Sequence, residues 1–135
     1  DRGVRLRVDH VLTDEAPEPW SEEMDQMVVP GSRIHREAVF FHRPTRTLIL
    51  TDLIENFEPG KLPWHLRLFT KVAGNQDPDG SMPRDLRLTF DRDALRDAVR
   101  RMIGWAPERV ILSHGRWYGS NGTAELRRAF DWLSP

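Results

Sequence analysis

Apolar and polar positions alternate at the start of the chain, where Val4, Leu6 and Val8 are separated by Arg5, Arg7 and Asp9. Successive strand side chains point to opposite faces, so this pattern predicts a first strand with one buried side. The following TDEAPEPW carries two prolines and three acids, which predicts a surface loop ending near Trp20. A short strand over Gln26 to Val29 stops at Pro30 and Gly31. Two runs rich in β-branched and aromatic residues, Glu37 to His42 and Thr47 to Asp52, flank Arg43, Pro44, Thr45 and Arg46 and predict a hairpin. On its second strand Leu48, Leu50 and Asp52 share one face, so Asp52 is expected to continue a buried row.

The period then lengthens. Leu62, Leu66, Phe69 and Ala73 form a helical stripe that Trp64, Leu68 and Val72 widen, with Pro63 in the first turn and Gly74 as the stop. NQDPDGSMPRD predicts a long loop, and Leu86, Leu88 and Phe90 a brief strand. Asp91 is an N-cap for a helix whose Leu95, Val99, Met102 and Ile103 face inward while Arg92, Arg96 and Arg100 face water; Gly104 and Pro107 end it. The unbroken Val110, Ile111 and Leu112 read as a strand covered on both faces, and it stops at Ser113, His114 and Gly115. After RWYGSNG a last helix places Leu126, Ala129, Phe130 and Leu133 on one side. The order of elements predicts an α/β fold, a mixed sheet with helices on one side, forming a single domain over residues 1–135.

Composition narrows the partners. The 135 residues hold 20 basic and 21 acidic side chains, a net charge of -1, so the chain as a whole has no field that would gather nucleic acid or a membrane surface. No apolar run approaches the roughly 20 residues of a membrane span, and a cytoplasmic location is expected. Cysteine is absent, which removes disulfides, thiolate zinc sites and cysteine nucleophiles and leaves His, Asp and Glu as metal ligands.

Two strands end on ionisable residues, Asp52 and His114. Ligand sites of α/β folds gather outside the carboxyl ends of strands, so if both strands lie in one sheet a carboxylate and an imidazole meet on one rim, where they can hold a metal or exchange a proton. An aspartate there also serves as an ordinary turn former and a lone histidine as a structural residue, so the pattern leaves both uses open. Glu55 and Asn56 are candidates for orienting a ligand. Arg116 and Tyr118, in RWYGSNG, are candidates for a substrate-facing loop. His42 is a further candidate for a role beside the ligands, but with Arg43 and Arg46 it also suits turn anchoring, the hairpin geometry favouring the end opposite Asp52.

FFHRPTRTLILTDLIENF together with PERVILSHGRWYGSNGTAELRRAFDWL resembles a bacterial family of unknown function at the edge of the metallo-β-lactamase superfamily. The likeness runs from about Val4 to Leu133. It implies the C-terminal half of an αββα sandwich, with zinc or another divalent metal at one rim; Asp52 would match the metal-bridging aspartate and His114 the last ligand histidine. The superfamily's principal histidine cluster has no counterpart here, since His10, His35, His42, His65 and His114 are widely spaced. The resemblance therefore implies a partial domain that binds metal weakly alone, and the Asp at position 1, in place of Met, agrees with a partial product. Three functions follow as expectations: a metal-dependent hydrolase completed by a missing N-terminal half, a non-catalytic domain that keeps the fold, or an interaction module whose uncovered sheet face seeks a partner or self-associates.

Overall fold

The computed structural model describes residues 7–134. Most of the expected first strand lies outside them; Val8, which is described, is exposed and not in a strand. The chain is mixed α/β. Among the described residues it has five helices, α1 (Glu18–Ser21), α2 (Trp64–Ala73), α3 (Arg84–Arg87), α4 (Arg92–Gly104) and α5 (Gly122–Ala129). Four strands, β1 (Met24–Val28), β2 (Ala38–His42), β3 (Thr47–Ile49) and β4 (Arg109–Ile111), form one sheet in chain order. The first three are antiparallel neighbours and β4 joins β3 in parallel.

The hairpin forms where the two runs predict it, with His42 opposite Thr47. Its second strand ends sooner than the apolar pattern suggests, and the cause is a side chain. Leu50 still donates its N–H to the Ile111 carbonyl, but the N–H groups of Thr51, Asp52 and Leu53 are taken by the buried Glu37 carboxylate. Once those donors leave the ladder the chain turns out of the sheet, and the buried row stops at Leu50 rather than reaching Asp52, which is half-exposed.

One face of the sheet carries Met27, Val39, Phe41, Leu48 and Val110, all buried. Against it pack α4, through Leu95, Val99 and Met102, and α5, through Leu126 and Ala129. Asp91 caps α4 by accepting from the N–H groups of Asp93 and Ala94. The opposite face presents Val28, Ala38, Phe40, Ile49 and Ile111, none fully buried, and Ile111 is 41% exposed. Strand β4 is thus covered on one face only, contrary to the expectation from its apolar run.

Two further elements differ from the sequence pattern. Leu86 belongs to α3 and Leu88 follows it, so no strand forms there; only Phe90 makes a single bridge, to Ser32. The Arg87 N–H finds the Pro83 carbonyl, a local helical turn available at once, whereas a strand needs a free edge to pair with. Helix α2 forms as expected and ends at Gly74 in the left-handed region (φ 74°), but its apolar residues are largely exposed.

Candidate functional site

Parallel pairing of β3 with β4 sends both strands out of the sheet at the same edge, and the chain stays paired beyond them. The Asn56 N–H donates to the His114 carbonyl at 2.9 Å and the Arg116 N–H to the Asn56 carbonyl at 2.8 Å. Gly115, between them, has φ 89°, and a Cβ built on it would lie 1.9 Å from the Asn56 carbonyl oxygen. Glycine is therefore required both by the backbone angle and by the approach of the neighbouring chain. This clasp holds the segment carrying Asp52 and Glu55 beside the segment carrying His114.

The side chains meet. His114 Nε2 lies 3.0 Å from Asp52 Oδ1, the two side chains being 46% and 41% exposed. Glu55 joins them, and one ligand atom from each of the three lies within 4.8 Å of the others. Asp52 is set by Glu37, which is 3% exposed and accepts from Thr51 at 2.6 Å and from Asp52 and Leu53 at 3.0 Å each. His35 Nε2 also reaches Glu37, at 3.3 Å. Asn75 Nδ2 donates to Glu55 at 2.6 Å, while Asn75 Oδ1 is buried with no hydrogen-bond partner.

Asp52 and Glu55 open on a cleft of about 270 Å³ whose polar wall also holds Asn75 and Asp85 and whose apolar wall includes Phe69 and Leu86. Burial pushes the Glu55 carboxyl above its usual range; the Asn75 hydrogen bond and the His114 charge oppose that shift, and the charges of Asp52 and Asp85 add to it. A half-buried carboxyl among other acids is short of positive charge.

The donor set suits a divalent cation. Imidazole nitrogen and carboxylate oxygen are ordinary ligands for zinc and similar metals. Ligand atoms around a tetrahedral zinc stand about 3.3 Å apart given bonds of about 2 Å, close to the observed His114–Asp52 separation. The Asn75 oxygen, on the amide whose nitrogen holds Glu55, is buried without a hydrogen-bond donor.

The side chains of the other sequence candidates have partners outside the three-residue cluster, although the Asn56 and Arg116 backbones form the clasp. Asn56 is fully buried and joins three loops: its Nδ2 donates to Asp77 and to the Arg116 carbonyl, and its Oδ1 accepts from the Gly80 N–H. Arg116 pairs with Glu58 at 2.9 Å and Asp77 at 3.2 Å, contacts that hold its charge well in place. Tyr118 is buried, receives a hydrogen bond from Arg128, and its hydroxyl is pushed up to about 12, chiefly by burial. His42 sits at the hairpin end of β2, 2.7 Å from the Thr45 hydroxyl, and is not brought to the Asp52 rim. Glu37 and Asn75 carry no sequence signal that marks them: one precedes an apolar run, the other lies in a polar loop.

No protein-family model matches the chain, and no curated protein is significantly similar to it.

Proposed function

We propose that the chain is the C-terminal half of a metallo-β-lactamase-like, metal-dependent hydrolase, with Asp52, Glu55 and His114 holding a divalent cation such as zinc. The convergence of those three ligand atoms within 4.8 Å carries the reading. The partly exposed sheet face of Phe40, Ile49 and Ile111 supports the half-domain aspect, because a second sheet packed there would cover it. A cation bound at such a site supplies Lewis acidity and lowers the pKa of a water molecule. The protein's own residues do the positioning. Glu37 fixes the Asp52 backbone, the Asn56–Gly115 clasp fixes His114, and the Asn75 amide holds the Glu55 carboxylate.

A second reading also has an observation in its favour: Asp52 and His114 already satisfy one another at 3.0 Å, as they would in a non-catalytic domain that keeps the fold. Calorimetric titration with zinc and manganese separates the two. The first reading expects one ion per chain, bound weakly because structural sites use four protein ligands, with binding lost in His114→Ala and reduced at least about tenfold in Asp52→Asn. Equal heats from the wild type and both variants would leave only the second.

A further inference from the structure

Helix α2 turns its apolar side away from the protein. Thr70, buried, and Ala73, half-buried, face the body. On the opposite side Trp64, Leu68 and Val72 recur every fourth residue and are 77%, 59% and 63% exposed, with Phe69 beside them at 66%. The C-terminal half of the helix is held to the following segment by Gln76, whose Nε2 donates to the Arg67 carbonyl and to Thr70 Oγ1 and whose backbone bridges Phe57. Three large apolar side chains standing in one outward row, flanked on the cleft side by the exposed Phe69, mark an interaction surface rather than a packing accident.

The charges on the helix choose the partner. Residues 59–74 hold Lys61, Arg67 and Lys71 and no carboxylate, although the chain as a whole is slightly acidic. At helical spacing Arg67 and Lys71 border the Trp64 edge of the apolar row. We propose that α2 docks on an anionic lipid surface, with Trp64, Leu68 and Val72 entering the boundary between headgroups and acyl chains and Arg67 and Lys71 meeting the anionic headgroups. A two-fold contact between copies through this row would bring the Arg67 and Lys71 of one copy toward those of the other. A complementing half-domain has the sheet face of Phe40, Ile49 and Ile111 to cover, a face to which α2 contributes no residue. No described helix is long and apolar enough to cross a membrane, so the contact is a surface one. It departs from the expectation drawn from chain-wide charge because α2 itself carries Arg67 and Lys71 and no acid. Phe69 belongs to both the helix and the Asp52–Glu55 cleft, so docking would hold that cleft beside the lipid.

Flotation with vesicles tests this in chelator-treated buffer, which keeps the outcome independent of any cation at Asp52, Glu55 and His114. The wild type should float with vesicles of equal parts phosphatidylcholine and phosphatidylglycerol, stay behind with phosphatidylcholine alone, and be released by high salt. Leu68→Asp should abolish flotation. Lys71→Glu should lower partitioning by more than about tenfold, since each cation near an anionic surface is worth roughly fivefold. Both residues are exposed, so circular dichroism should report unchanged helix content. Wild-type protein that stays behind with the anionic vesicles overturns the proposal, as does undiminished flotation of Leu68→Asp. Sedimentation without vesicles that shows an oligomer dissolved by Leu68→Asp also overturns it, assigning the row to a second copy.

Discussion

Asp52 owes its position to Glu37. A carboxylate that is buried yet accepts three backbone N–H groups is satisfied only as an acceptor, and an amide in its place would turn an N–H donor toward other donors. Glu37→Gln should therefore destabilise the protein by about 2–4 kcal/mol in urea unfolding and weaken the proposed cation binding with it, although the Glu37 carboxylate is itself no ligand. Glu55 makes the opposite kind of prediction. Its folded carboxyl releases its proton at higher pH than the unfolded chain does, so its contribution is fullest below the ordinary carboxyl pKa and is lost as pH rises through the folded value. Melting temperature followed against pH should show that decline in the wild type and a flatter profile in Glu55→Gln. Where a cation binds, affinity should rise over the same interval, since the ion and the proton compete for one oxygen.

At the scale of elements, the sequence disclosed what each element is more readily than what it faces. The hairpin, α4 with its Asp91 cap, and the stop of α2 at Gly74 follow from local chemistry and form as their residues dictate. The apolar stripe of α2 and the Val110–Leu112 run promised burial that the structure does not provide, because periodicity reports a hydrophobic face without saying what lies against it. The meeting of Asp52 and His114 was legible as two strand ends, conditional on a shared sheet. Glu37 was not, because its role arises from a contact with Thr51, Asp52 and Leu53 that no spacing rule encodes. The clasp between the two rim segments is a testable element in itself. Gly115→Ala puts a methyl group where the Asn56 carbonyl stands and should separate His114 from Asp52, costing about 2–4 kcal/mol of stability together with the proposed cation site. Guanidinium unfolding and the zinc titration measure the two losses.

For the whole molecule, the two sheet faces differ in kind: one is closed by α4 and α5, the other leaves Phe40, Ile49 and Ile111 partly open to water. An open apolar face of this sort favours association, and Ile111→Lys should lower both sedimentation coefficient and hydrophobic-dye binding while changing stability by no more than about 0.5 kcal/mol. The parallel junction of β3 and β4 has a different bearing, on the order in which the protein assembles. Nearly half the chain lies between Ile49 and Ile111, so that junction closes the longest loop in the sheet and is the contact most expensive in chain entropy. During refolding, the hairpin and α4 can appear early from near neighbours, whereas Asp52 and His114 come together only when that distant closure is complete.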